Sequence, residues 1–145
     1  MLAYKRILAA VDLGDDGMPV CRRAAELAEK YAASLTLLHV VEYVPVDLGS
    51  DLVLPSPLEV EELLLERAKK DLRELADEWE GIEVDPVVVV GTTKSEILRY
   101  ADEGQVDLIV IGRHSRHGIL KLLGSTANAI LHNAHCDVLA VNISQ

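Results

Sequence analysis

The sequence predicts an α/β fold: a single domain over residues 1–145, with a five-stranded parallel sheet covered by helices on both faces. Three observations predict it. Five short apolar runs punctuate the chain: Ile7 to Val11, Leu35 to Val41, Val87 to Val90, Leu108 to Ile111 and Val138 to Val141. They are too continuously apolar for a sheet with one wet face and suit strands buried on both sides. Helix-periodic segments separate them, and right-handed crossovers between parallel strands then place helices on both faces of the sheet. Length and composition agree, since 145 residues that are 50% apolar and 26% charged suit one core and exclude disorder or a fibrous repeat.

Each element has a local reason. The first run stops at Asp12-Leu13-Gly14-Asp15-Asp16-Gly17, a turn. Val20, Ala24, Leu27, Ala28 and Tyr31 then recur at helical spacing, with Asp15 or Asp16 placed to cap the start. After the second run, Glu42 to Pro55 is polar and broken by proline, as in a surface loop. Ser56-Pro57-Leu58-Glu59 is a capping box with proline at the first helical position, and Leu64, Ala68, Leu72, Leu75 and Trp79 line one face up to a stop at Gly81. The acids between them form a solvated face. Pro86, at the start of the third run, fits best on a sheet edge. Thr93-Lys94-Ser95-Glu96 is a second capping box, opening a helix with Ile97, Leu98 and Ala101 inside, and a short helix over Ser125 to Ala134 precedes the fifth run.

Charge narrows the partners. A net charge of −10 argues against gripping a nucleic acid polymer, and one Trp, four Tyr and no Phe offer few platforms for stacked bases. No apolar run is long enough to span a membrane, and Asp12 interrupts the first one before it reaches the length of a signal-peptide core. Cys21 and Cys136 lack metal or redox spacing and read as reduced thiols of a cytoplasmic protein.

In such a sheet, ligands bind where strand order reverses, at the carboxyl ends of the strands. Two turns there stand out. The window Leu108 to Cys136 has no Asp or Glu, yet holds Arg113, Arg116, Lys121 and four of the five histidines. Its loop, Gly112-Arg113-His114-Ser115-Arg116-His117-Gly118, leads into Gly124-Ser125-Thr126 at a helix start. Free amides, close backbone approach and hydroxyl donors together suit phosphate. An ordinary strand-to-helix turn with Ser125 as cap is the alternative. Asp12, ending the first run, is placed to accept hydrogen bonds from a base or ribose, or simply to close the turn. Asp15 and Asp16 read as caps rather than ligands, and His39, inside an apolar strand, as a hydrogen-bonded structural residue. His114 with His117, and His132 with His135, have spacing that permits metal ligation but lack convincing partners. There is no G-x-S-x-G elbow or P-loop, and no recognisable pair of nucleophile and base.

Several stretches together resemble the universal stress protein family, in its UspA-like branch. They are Tyr4 to Asp12, Leu37 to Val41, Val110 to His114, Leu123 to Ala127 and Cys136 to Val141, in the family's order. The resemblance covers essentially the whole chain. It implies a Rossmann-like sheet of the adenine nucleotide α-hydrolase-like kind, strand order 3-2-1-4-5, with a nucleotide between strands one and four. It further implies that Asp12 and the main chain of Val40 meet the adenine and ribose of ATP or AMP, with or without Mg²⁺, and that Ala10 belongs to the nucleotide site. Gly112, Gly124, Ser125 and Thr126 would surround the phosphates, and the loop residues Arg113, His114, Ser115 and Gly118 would complete the set. The family motif is G-x-x-G, nine residues, then G-[ST]. Here Ser115 replaces the second glycine, and eight residues separate it from Gly124, with Gly118 nearby to compensate.

The resemblance also implies a homodimer through the edge strand Val138 to Ile143, which carries neither Lys nor Pro to protect it. The expected function is a cytoplasmic stress-response sensor or regulator with at most slow ATP hydrolysis. The alternative is a dimeric interaction module that binds no nucleotide. A nucleotidyl transferase or ATP pyrophosphatase would need S-G-G-x-D-S or H-x-G-H, which the chain lacks.

Overall fold

The computed structural model describes residues 3–14, 16–42, 57–113 and 124–143. Strands and helices alternate as β1 (Arg6–Ala10), α1 (Gly17–Tyr31), β2 (Ser34–Val41), α2 (Pro57–Ala76), β3 (Val84–Val90), α3 (Thr93–Glu103), β4 (Leu108–Arg113), α4 (Ser125–Asn133) and β5 (Asp137–Asn142). The five strands form one sheet in the order β3-β2-β1-β4-β5, and every neighbouring pair is parallel. This is the Rossmann-like order implied by the resemblance.

Alternation along the strands divides the core in two. Ile7, Ala9, Leu35, Leu37, Leu108 and Val110 face a layer built on Val20, Cys21, Ala24 and Ala28 of α1 and Leu72 and Ala76 of α2. Leu8, Leu38, Val40, Ile109 and Ile111 face Ile97 and Ala101 of α3 and Ala127 and Ile130 of α4. The continuous apolar runs are explained by this arrangement, because both side-chain sets of a central strand are dry. Cys21 is fully buried in the first layer, which pushes its thiol up to about 12; Cys136 is half-buried, and both are free.

Several expectations need correction. Pro86 is not at the start of β3 but within it, opposite Leu37, and is tolerated because β3 is an edge strand. Trp79 lies beyond α2 and packs on the core from there. The helix closes at Ala76 as its bonds tighten: Asp77 N–H still reaches the Arg73 carbonyl, whereas Glu78 and Trp79 donate to Leu75 and Ala76. Leu64 is 41% exposed. At α3 the N-cap is Thr92, without a side-chain capping bond, and the Glu96 carboxylate pairs with Arg99 instead of closing a box with Thr93. Gly112 and Arg113, read as loop, are the end of β4 and pair with Val141 and Asn142. The loop expected over Glu42 to Pro55 lies outside the described residues from 43 onward, as does Ser56.

Among the described residues, two non-glycine positions adopt left-handed backbone, Ala32 (φ 53°) after α1 and Gln105 (φ 52°) after α3. At the amino end of β1, the Asp107 carboxylate accepts the Lys5 and Arg6 amides at 2.9 and 3.1 Å, fastening the strand to the α3–β4 corner.

Candidate functional site

Strand order reverses between β1 and β4, so the connections leaving them diverge to opposite faces and open a crevice at the carboxyl edge. A cleft of about 310 Å³ lies there. That is near the lower end of ordinary ligand sites, roughly 300–1,000 Å³. Its walls come from Ala10 at the end of β1 and the following Val11 and Asp12, from Leu38, His39 and Val40 of β2, from Ile111 and Gly112 of β4, and from the helix starts.

Of the residues expected from the sequence, Ala10, Asp12, Val40, Gly112, Gly124, Ser125 and Thr126 all line this cleft. Arg113 ends β4 but is not among the lining residues. His114, Ser115 and Gly118 lie outside the described residues.

The cleft has chemically different parts. At the exit of β1, Asp12 and Asp16 supply carboxylates. Asp16 is the N-cap residue of α1, the position expected for it, although its side chain makes no capping bond. Opposite, α4 begins at Ser125 behind Gly124, whose position as N-cap leaves no side chain to satisfy the first amides. The alternative of Ser125 as cap is therefore replaced by Gly124, and Ser125 is the first helical residue. Gly124 has φ −57° and open space around a Cβ built on it, so neither backbone strain nor packing within the described residues demands glycine there. Between these ends, Val40, Ile97, Ile111 and Ala127 form an apolar slot.

Gly112 has a packing reason. A Cβ there would collide with Ile143 Cδ1 and come within 3.1 Å of Val20 Cγ2, both from residues of the cleft wall. On the α3 side, the Thr93 amide donates to Glu42 Oε1 at 2.6 Å, and hydrogen bonds from that amide and then from the Thr93 hydroxyl hold the Glu42 carboxyl below the usual range.

His39 is hydrogen-bonded as expected, its Nδ1 lying 2.7 Å from the Val11 carbonyl. His135 Nδ1 lies 3.2 Å from Asp102 Oδ1 at the surface, and no cluster of three potential metal ligands occurs among the described residues. Among these residues no helix is long and apolar enough to cross a membrane. Sequence reasoning missed Thr93, Ile97 and Ile143 as cleft residues. The signal for the first two was topological: in this fold each crossover helix begins at the carboxyl edge, so a helix start beside β2 belongs near the crevice.

The fold and the cleft define a doubly wound α/β protein with a ligand-sized crevice at its switch point. The sequence model of the universal stress protein family matches residues 3–142, and the chain belongs to that family. Universal stress protein A homologs 1 and 2 of Coxiella burnetii are 42% identical over 138 residues and 43% identical over 141 residues. These alignments cover 95% and 97% of this chain and 96% of each relative. Among solved structures, universal stress protein UspA from Lactobacillus plantarum is 25% identical with a TM-score of 0.75, over 97% of this chain and 99% of that one. A universal stress protein in complex with cAMP has a TM-score of 0.72 at 23% identity, over 99% and 100% of the two chains. The protein from Archaeoglobus fulgidus in complex with dAMP has a TM-score of 0.60 at 24% identity, over 97% and 99%.

Proposed function

We propose that this protein is a cytoplasmic, homodimeric stress-response sensor or regulator that binds an adenine nucleotide, ATP or AMP, in the cleft between β1 and β4. The observation that carries the reading is the polarity of the cleft. Carboxylates suit the donors of a ribose or an adenine amino group and repel phosphate, whereas a helix N-terminus behind a bare glycine suits phosphate. The apolar slot between them suits a flat base. Complexes of related folds with cAMP and dAMP support the same ligand class.

In this reading Asp12 and the Val40 main chain hold the base and ribose, and Gly124, Ser125 and Thr126 hold the phosphates. Arg113, His114, Ser115 and Gly118 supply the remainder of the phosphate loop, and Mg²⁺ accompanies ATP if it is required. Two copies join through β5, a strand with one side-to-side partner in the sheet and no Lys or Pro along it. The role is regulatory, with at most slow hydrolysis.

Chromatography of the supernatant from denatured protein, followed by titration of emptied protein with ATP and Mg²⁺, tests the reading. Co-purified adenine nucleotide or a saturable binding heat is expected. Absence of both at millimolar-scale ATP would favour the second reading, a dimeric module without nucleotide, for which Ser115 at the motif's glycine position is the supporting observation. Gly124→Leu together with Ser125→Leu should abolish binding and leave the dimer intact.

A further inference from the structure

The acidic end of the cleft is held in place by hydrogen bonds and close contacts around the exit of β1, one of them from His39, itself a residue of the cleft wall. Val11, the residue just past β1, is gripped through both of its backbone polar groups by β2. Its N–H donates to the Leu38 carbonyl at 2.9 Å, and its own carbonyl lies 2.7 Å from His39 Nδ1. A carbonyl only accepts, so His39 Nδ1 carries the proton and donates. The chain turns immediately afterwards, at Asp12.

The far side of the turn is fixed by close approach. A Cβ built on Gly17 would overlap the Asp12 carbonyl oxygen, and it would meet the Asp12 carbonyl carbon and Val11 Cγ1 at 3.0 Å each. Gly17 is not among the residues with positive φ, so the requirement there is space rather than a left-handed backbone. Its N–H also donates to the Gly14 carbonyl at 3.1 Å, closing the turn. The Asp12 peptide is thus trapped between a side-chain donor acting on the preceding carbonyl and a residue with no side chain.

We infer that His39 and Gly17 are positioning residues that pre-order the Asp12 carboxylate for its ligand, so that both act on binding through Asp12. The inference rests on the nucleotide reading above. Its physical content is pre-organisation: a turn already fixed in the bound geometry loses less freedom when the ligand arrives. Asp16, the other carboxylate on this wall, begins α1 next to Gly17, so displacing Gly17 moves both acids, whereas removing the His39 donor releases the Val11 carbonyl alone.

A double-mutant cycle on the full chain, read by calorimetric titration with ATP and with AMP, separates this role from general damage. His39→Ala should weaken binding about three- to tenfold, the range of one lost hydrogen bond. His39→Asn, which retains a side-chain N–H donor, should recover most of the affinity, and His39→Leu should not. Gly17→Ala should weaken binding at least as much as His39→Ala. In an Asp12→Ala background, His39→Ala should change affinity by less than about twofold, the limit of ordinary additivity. Melting temperatures verify folding, and the Asn and Leu variants carry the comparison if the alanine variant unfolds. Full affinity in His39→Leu, or an undiminished His39→Ala effect without the Asp12 carboxylate, overturns the positioning role. A wild-type protein that binds neither nucleotide overturns the nucleotide reading itself.

Discussion

Glu42 and Thr93 are separated by 51 positions, yet they form the contact that starts α3. Local spacing pointed to Thr93 and Glu96 as a self-contained capping box. The carboxylate that reaches the helix start instead comes from the end of β2, where Val41 pairs with Val90 and its carbonyl accepts the Gly91 amide. No spacing rule finds such a partner, because it exists only once two strands lie side by side. The Thr93 amide and hydroxyl stabilise the ionised form of Glu42, so its carboxyl titrates below the unfolded value of about 4.3. A depressed folded pKa gives stability that is present above the unfolded value and is lost as pH falls through the folded one. Glu42→Gln should therefore melt below the wild type at neutral pH, and the gap should close in acid below the ordinary Glu range. Paired thermal melts across that range check it, and a gap that widens in acid contradicts the assignment.

At the scale of elements, α2 shows what periodicity can and cannot resolve. Ala68, Leu72 and Ala76 make its buried stripe, while Leu58 and Leu63 stand 65% and 67% exposed. Three consecutive leucines, Leu63 to Leu65, leave the inward one undetermined by composition, and the structure turns Leu65 partly inward and Leu64 out. Leu72→Ala should cost about 2–5 kcal/mol, as expected for a large-to-small change in a close-packed layer. Leu63→Ala should stay within about 0.5 kcal/mol. Urea unfolding of the two variants gives the contrast directly. The same level explains why β4 is longer than the sequence suggested: glycine usually punctuates, but at Gly112 the missing Cβ makes room for Ile143 and Val20 without interrupting the pairing to β5.

For the molecule as a whole, the parallel sheet was legible because five buried runs alternated with amphipathic helices, whereas the order of its strands came from the resemblance to the universal stress protein family and not from the periodicity. The position of the cleft followed from that order. Its walls were less legible: Asp12, Gly124 and Ser125 lie beside motifs visible in the sequence, whereas Ile143 and Thr93 arrive by tertiary packing. Charge bears on assembly at this scale. Each chain carries −10, so two copies joined at β5 repel one another over distances that salt screens. Added salt should tighten the proposed dimer, as measured by sedimentation equilibrium at low and high ionic strength. Weakening with salt would instead indicate an interface held by opposite charges.

The left-handed corners at Ala32 and Gln105 offer a separate handle on the molecule. Gly104 already stands beside one of them, but its own φ is −84° and its place is set by close approach to the Tyr100 carbonyl, so the strained angle falls on the residue after it. Both corners feed the starts of strands, at the rim opposite the cleft. Ala32→Gly and Gln105→Gly should each relieve about 1 kcal/mol of backbone strain, visible as a higher melting temperature. Thermal endurance and ligand chemistry thus lie at opposite rims of the sheet, where the first can be tuned while the second is left alone.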